Sequence, residues 1–437
     1  MIQKPIKNIH FIGIGGSGVS AVAQIAKYYG YQVTGCDVAS DTPYIQKVKS
    51  AGIKVFTGHD ISHIKNADLV AVTPAVFYQN ENHPEILEAK NKGVLIKWQD
   101  FLGQYLHKNK SIICVAGTHG KSTTTAMVGH LLQDAKLDPT VEVGATDIGW
   151  KNNILLGKGK YFVSEADEFH DNFASYHPDY LILNNIEMDH PEYFLTFEKM
   201  LESYQCFVSN MPAGSVLIYN AENIGNQKLI KNLKNFLVQP VPYYPSKNTK
   251  DIVLTVLGQH NKCNALGVLE LAKVLGISEQ IALKSLSNFV GLNRRLELIG
   301  TSRGVKVFDD YANHPSAFRA SLEAIKSRYS DSKITVVIEP HTVSRLKFTL
   351  DQLAESLVLA DKVIISKIFT SREKEDPNFT GQNIADVIKN SEYIPDFDVI
   401  TKTLSQSLKN DEIVLVMGSG NSHQLARQLL ETLKKVK

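Results

Sequence analysis

The run Gly117-Thr118-His119-Gly120-Lys121-Ser122-Thr123 decides how this chain is read. Before it stands a short apolar stretch rich in Ile and Val, Ser111 to Ala116, and after it Thr124 to Ala135 carries apolar residues at helical spacing. Strand, glycine turn and helix in that order form the setting of a phosphate-binding loop. In such a loop backbone N–H groups and a helix N-terminus face phosphate oxygens, Lys121 adds a cation, and the Ser122 hydroxyl can ligate Mg²⁺. The helix end alone contributes roughly 0.3–2 kcal/mol toward an anion, so a polyphosphate also needs the lysine and a metal. The strict pattern GxxxxGK[ST] asks for glycine where this chain has Val115, which makes the loop a variant. The competing reading, a glycine turn beside an exposed lysine, does not account for the agreement of both flanking elements.

A second glycine-rich turn, Gly13-Ile14-Gly15-Gly16-Ser17-Gly18, follows the strand-like Asn8 to Ile12 and precedes a helix of small residues from Val19. Asp37 closes the next strand-like run, Gln32 to Cys36, at the distance where an acidic side chain meets a ribose hydroxyl. NAD is the usual ligand of such a fingerprint, but glycines that admit a diphosphate serve any nucleotide, UDP included. Lys4, Lys7, the uncharged stretch Ile9 to Ala26 and Ala21-Val22-Ala23 also resemble a secretory leader; four glycines within six residues suit a turn better.

At 437 residues the chain has room for about three domains of roughly 150 residues each, and its 43% hydrophobic content is ample for ordinary cores. A formal charge of +2 with interspersed signs gives no support for a nucleic-acid or membrane surface. Cys36, Cys114, Cys206 and Cys263 lack CxxC spacing and are expected to be reduced core thiols of a cytoplasmic protein. No uncharged stretch of transmembrane length stands out beyond the N-terminal ambiguity, and no repeat. Strands and helices alternate three times over, so three α/β units with parallel or mostly parallel sheets are expected. The basic run His107-Lys108-Asn109-Lys110 marks the first junction, and a third unit opens near Gly291. Expected strands include Asp68 to Thr73, Tyr161 to Ser164, Tyr180 to Leu183, Val305 to Phe308, Ile334 to Ile338, Lys362 to Ile365 and Ile413 to Met417. Glu165-Ala166-Asp167-Glu168 and Asn184 to His190 follow two of them, and ligands of open α/β sheets bind beyond such carboxyl ends. If these strands neighbour Ser111 to Ala116, Glu165 and His190 are candidates to hold Mg²⁺.

Together the motifs GIGGSG, GTHGKSTTT, EADE, NIEMDH, GQHNKCNA, GLNRRLELIG, DDYANHP and EPHTVSR, spread over nearly the whole chain, resemble the Mur ligases. These are ATP-dependent amide-forming enzymes of peptidoglycan synthesis. Within the family the chain is most similar to the branch that attaches L-alanine to UDP-N-acetylmuramate. The resemblance implies an N-terminal Rossmann-like domain for the UDP-sugar (1–107), a central P-loop ATPase-like domain (108–290) and a C-terminal Rossmann-like domain (291–437) that completes the nucleotide site and positions the amine. It further implies that Gly13, Gly15, Gly16, Ser17, Gly18 and Asp37 contact the UDP-sugar. Gly117 to Thr123 would hold ATP, with Lys121 on its β and γ phosphates. Ser122 or Thr123 with Glu165 would bind one Mg²⁺, and His190 a second. His260, Asn261 and Asn264 would lie beside adenine, Arg295 at the phosphates and Asp310 at the ribose. His314, His341 and Arg345 would face the substrates, and either histidine could accept the proton of the attacking amine. The implied protein acts in the cytoplasm on UDP-N-acetylmuramate and an amino acid, as a monomer or weak homodimer, with no nucleic-acid or membrane partner.

Three positions depart from that branch, which commonly reads DDYxHHP and PHRY[ST]R: Asn313, Thr342 and Val343 replace His, Arg and Tyr. Losing a planar bidentate cation at Thr342 changes how a carboxylate would be held there. A recycling branch, which adds a tripeptide to the same UDP-sugar, shares LILNNIEMDH and Glu339-Pro340, whereas His341, Ser344 and Arg345 follow the alanine pattern. An NAD-dependent oxidoreductase remains a distant alternative that leaves the lysine loop unexplained.

Overall fold

The computed structural model describes residues 6–80, 82–233, 237–249, 252–371 and 373–435; Lys4 lies outside them. The chain divides into two compact units. One comprises Met1–Ile186, Met200–Asn248 and Ala265–Leu286; the other comprises Glu187–Lys199, Thr249–Asn264 and Ser287–Lys437.

The first unit carries two sheets. β1 (Asn8–Ile12), β2 (Gln32–Asp37), β3 (Lys54–Thr57), β4 (Leu69–Val72) and β5 (Leu95–Lys97) pair in the order β3-β2-β1-β4-β5, all parallel. Strand order reverses at β1, so the glycine turn after it opens at a topological switch point, where such sheets bind ligands. The stretch that resembled a leader is β1 and the helix Ser17–Tyr28, whose Val19 to Ala26 are all buried. The second sheet runs β12-β11-β10-β6-β9-β7-β8, from β6 (Ser111–Ala116), β7 (Thr140–Asp147), β8 (Asn152–Leu155), β9 (Tyr161–Ala166), β10 (Tyr180–Leu183), β11 (Val216–Asn220) and β12 (Gln239–Tyr243). Here β6 is flanked by β9 and β10 in parallel register, Val115 opposite Glu165 and Ala116 opposite Leu183. Pro240 and Pro242 sit in β12, an edge strand, where a missing N–H is tolerated.

The second unit carries one sheet, ordered β13-β14-β18-β15-β16-β17: β13 (Glu297–Ser302), β14 (Val305–Asp310), β15 (Ile334–Ile338), β16 (Lys362–Ile365), β17 (Ser391–Tyr393) and β18 (Ile413–Met417). Ile334, Val336 and Ile338 pack into one apolar layer and Val337 into the other, so helices cover both faces and the central strands read as unbroken apolar runs. The architecture is therefore three α/β sheet domains, mostly parallel as expected. The antiparallel pairs are β7 with β8 and β13 with β14, each involving an edge strand next to its sequence neighbour, which a short turn permits. No described helix is long and apolar enough to cross a membrane. The cysteine expectation needs correction: Cys36 and Cys114 are buried, but Cys206 is exposed and Cys263 partly so. Both lie on helices, Phe197–Ser209 and Gln259–Val274, where spacing rather than residue type decides which face meets solvent.

Candidate active site

The lysine loop lies between the carboxyl ends of β6, β9 and β10. Gly117 has φ +137°, and a Cβ there would approach the Asn185 carbonyl oxygen to 2.9 Å; Gly120, left-handed at φ +80°, starts the helix Lys121–Asp134. The loop is tied to the segment after β10. The Thr118 N–H donates to the Asn185 carbonyl (3.1 Å), the His119 N–H to Asn185 Oδ1 (2.8 Å), and Asn184 Nδ2 to Thr124 Oγ1 (3.0 Å). Lys121 Nζ donates to the Gly117 carbonyl and to Glu168 Oε2, both at 2.7 Å. Burial would pull its ammonium down, but the Glu168 and Asp167 carboxylates override that and hold it above the usual lysine range. Ser122 Oγ donates to Glu165 Oε1 (3.1 Å), whose other oxygen accepts from the Gly144 N–H (2.8 Å). A hydroxyl and a carboxylate side by side at a phosphate loop are hard oxygen donors that fit Mg²⁺. Thr123, the neighbouring candidate, is buried.

Around the first glycine turn the Gly13 and Ile14 N–H groups donate to the Cys36 carbonyl (2.8 and 3.1 Å), and the Gly15 N–H donates to Asp37 Oδ2 (2.8 Å). Gly16 is the N-cap of the helix Ser17–Tyr28. The Ser17 carbonyl accepts from Asn153 Nδ2 (2.7 Å). A Cβ at Gly18 would stand 2.8 Å from the Trp98 ring. Asp37 thus shapes the turn through one of its oxygens.

The other expected site residues belong to the second unit. His190, left-handed at φ +53°, caps the short helix Pro191–Phe194, with Nδ1 3.2 Å from Glu192 Oε1. Burial alone would push Asp189 up; His190, Arg345 and His314 outweigh it and hold the carboxyl well below the usual range. Arg345 is buried, donating from Nε and Nη2 to Asp189 Oδ1 (3.0 and 2.7 Å) and from Nη1 to His341 Nδ1 (2.9 Å). Burial first and the Arg345 charge second lower His341 to about 4, so it is neutral at pH 7. His314 caps the helix Pro315–Arg328. Its Nδ1 lies 2.7 Å from Ser316 Oγ, which donates to Glu187 Oε2 (2.8 Å). Asp310 ends β14, bonded by the Ser321 hydroxyl, and burial raises its pKa. Arg294 and Arg295 both lie over the Tyr311 ring, Arg294 at 4.9 Å. The Arg294 guanidinium also donates to the Gly418 carbonyl (2.7 Å), and Arg295 stands 5.0 Å from the ring. Asn261 Nδ2 donates to the Leu257 carbonyl (2.7 Å) and Asn264 Nδ2 to Asn261 Oδ1 (3.3 Å), both on the helix that His260 helps begin. Asn313, Thr342 and Val343 border His314 and the helix Val343–Ser356.

Sequence reasoning did not assign Glu168, Asn184, Asn185, Asp189, Glu187 or Ser316 a role. Their signal was present in part. Five of the six follow strand ends within the same strings that supplied Glu165 and His190, but the partner each one takes depends on chain folding.

A lysine phosphate loop backed by a hydroxyl–carboxylate pair, on a chain of three α/β domains, defines a nucleotide-using enzyme. Family comparison narrows the class. "Mur ligase family, catalytic domain" matches residues 8–110, "Mur ligase middle domain" residues 115–293, and "Mur ligase, glutamate ligase domain" residues 294–420. The chain is 33% identical to UDP-N-acetylmuramate–L-alanine ligases of Caldanaerobacter subterraneus and of Alkaliphilus metalliredigens, covering 98% of each chain in both cases. It is similar in structure to the UDP-N-acetylmuramate-alanine ligase of Thermotoga maritima (TM-score 0.81, 27% identity, 99% of this chain and 100% of that one). It is also similar to a murein peptide ligase of Psychrobacter arcticus (TM-score 0.70, 25% identity, 99% of each). The chain belongs to the Mur ligase family and is an ATP-dependent ligase that joins a carboxylate to an amine.

Proposed function

We propose that this ligase joins L-alanine to the lactyl carboxylate of UDP-N-acetylmuramate in peptidoglycan synthesis, acting in the cytoplasm with ATP and Mg²⁺, as a monomer or weak homodimer. The observation that carries the nucleotide half is Lys121 at the mouth of β6 with the Ser122–Glu165 pair beside it. Names of the relatives support the substrate half. We assign residues 1–107 to the UDP-sugar, through Gly13 to Gly18 and Asp37; 108–290 to ATP; and 291–437 to the amine and closure of the nucleotide site.

In the proposed reaction the carboxylate takes the γ-phosphoryl group of ATP to give an acyl phosphate. The amine then attacks its carbonyl, and phosphate leaves. Two anions must meet in the first step, so Lys121 and Arg295 would supply fixed positive charge, and one Mg²⁺ held by Ser122 or Thr123 with Glu165, and a second that His190 helps hold, would screen the phosphates. His260, Asn261 and Asn264 are assigned to adenine and Asp310 to ribose. For the amine proton we choose His314. Its Nδ1 lies 2.7 Å from Ser316 Oγ, whose hydroxyl donates to Glu187 Oε2, and it takes the Ser316 N–H (3.4 Å), which fixes the ring at the start of the helix Pro315–Arg328. His341 is the poorer acceptor: its Nδ1 is taken by the Arg345 guanidinium, so Nε2 carries the proton, suited to donating toward developing charge. Arg345 and Asp189 position that ring.

The test is ADP formation with UDP-N-acetylmuramate, ATP, Mg²⁺ and a panel of amino acids and murein tripeptide. Stimulation by L-alanine is expected. Preference for the tripeptide would transfer the assignment to the recycling branch, a reading that Asn313, Thr342 and Val343 keep in play. No substrate-stimulated ADP from folded protein would overturn both. In the same assay His314→Gln is expected to abolish the acidic limb of the pH profile, where a required base is protonated, whereas His341→Gln lowers the rate and keeps that limb.

A further inference from the structure

The five-stranded sheet holds a cluster that the proposed reaction does not use. His10 on β1 and Cys36 on β2, His59 after β3, His63 in the turn Ile61–Ile64, and His83 and Glu85 at the start of the helix Pro84–Asn91 converge within the first unit. Cys36 Sγ stands 3.3 Å from His59 Nδ1 and 3.2 Å from Glu85 Oε2, which are themselves 3.0 Å apart. Cys36 and Glu85 are fully buried. His83, 4% exposed, has neither ring nitrogen hydrogen-bonded, although a donor nitrogen of it lies within 4.8 Å of its counterparts on His59 and Glu85. A buried imidazole with both nitrogens unsatisfied is costly unless something else meets them.

We propose that Cys36, His59, His83 and Glu85 bind a zinc ion. One thiolate, two imidazoles and one carboxylate are a borderline-soft donor set that suits Zn²⁺ and not Mg²⁺. Metal–ligand bonds of about 2.0–2.3 Å in a tetrahedron put neighbouring donor atoms roughly 3.3–3.6 Å apart, close to the observed triangle. The surrounding groups are arranged as an outer shell. Glu85 Oε1 is occupied by His63 Nδ1 (2.8 Å) and the Asp60 N–H (3.1 Å), which turns Oε2 toward Cys36 and His59. His10 Nδ1 lies 2.8 Å from Thr34 Oγ1, and its Nε2 lies 3.3 Å from Cys36 Sγ, placed to donate to a thiolate. His83 stands close to His59 and Glu85 but not to Cys36, so its ring has to close on the Cys36–His59–Glu85 triangle as the ion binds; four protein ligands then make the site closed and structural. It ties β2 to the loop after β3 and to the helix Pro84–Asn91, and Cys36 is the residue before Asp37, which holds the glycine turn.

Equilibrate the chelator-stripped full chain with Zn²⁺ or Co²⁺ under a large excess of Mg²⁺ and measure bound metal. One Zn²⁺ per chain is expected, with a raised thermal midpoint. The Co²⁺ form should show thiolate-to-cobalt absorption that Cys206→Ser retains and Cys36→Ser loses. His83→Ala should weaken Zn²⁺ binding at least about tenfold. Circular dichroism verifies that each variant is folded. If Cys36→Ser does not fold, Glu85→Gln and His83→Ala carry the test. Absence of stoichiometric Zn²⁺, or zinc retained by the folded ligand variants, would overturn the site. These readouts are independent of ligase activity, so the two proposals fail separately.

Discussion

Two glycine-rich turns follow central strands of neighbouring sheets, and they differ in charge. After β1 the turn Gly13–Gly18 holds no cation, and its shape is maintained by the Asp37 carboxylate accepting from the Gly15 N–H. After β6 the turn Gly117–Thr123 presents Lys121, itself gripped by Glu168 and the Gly117 carbonyl. Backbone alone is enough to cradle a diphosphate that only has to stay put. A phosphoryl group in transfer needs a fixed positive charge, because charge moves during the step. Under the proposed assignments one topological device would serve as an anchor in the first sheet and as a catalytic element in the second.

The strongest way to break this contrast is Lys121→Ala. Substrate-stimulated ADP formation is expected to fall on the order of 10³-fold or more, while UDP-sugar affinity measured by calorimetry stays nearly constant. Equal loss of both would mean that the turns are not functionally separate. A pH titration of stability sharpens the contrast from outside both turns. Burial raises Asp309, on β14, to about 7, against an ordinary value of 3.8, and its carboxylate oxygens have no hydrogen-bond partner. Its folded pKa exceeds its unfolded one, so its contribution is full below about pH 4 and is lost as pH rises through about 7. Unfolding in urea should show that Asp309→Asn gains on the wild type by roughly 2–4 kcal/mol between pH 4 and pH 8. A flat difference would contradict that assignment. The smallest effect belongs to the anchor. Asp37→Asn removes one charge-assisted bond to Gly15 and should weaken UDP-sugar binding about tenfold, with the ATP requirement unchanged. A larger effect on ATP than on the sugar nucleotide would reverse the roles given to the two turns.

Much of this molecule was legible before folding was considered. β1, β6, β10, β15, β16 and β18 fall on the expected bounds because buried parallel strands are short apolar runs closed by glycine or polar residues. Others were short of the mark: β9 and β14 continue into Ala166 and Asp310, since a polar residue at a strand's carboxyl end still pairs in the ladder while its side chain faces the site. The lysine loop was legible because all its chemistry sits in seven consecutive residues. The zinc cluster was not. Its ligands occur singly at 36, 59, 83 and 85, and without CxxC spacing Cys36 reads as an ordinary core thiol.

What the amino-acid order settled was the local part: which turns follow which strands, that one carries a lysine and the other does not, and that Glu165 lies at a strand end. Tertiary structure alone decided the partners. It put Glu168 on Lys121 and Asp189 with His341 on Arg345, 156 and 4 residues away along the chain. Backbone propensity acts over a few residues, whereas the pairing of side chains from different strand ends depends on sheet order and register, which only the packed core enforces.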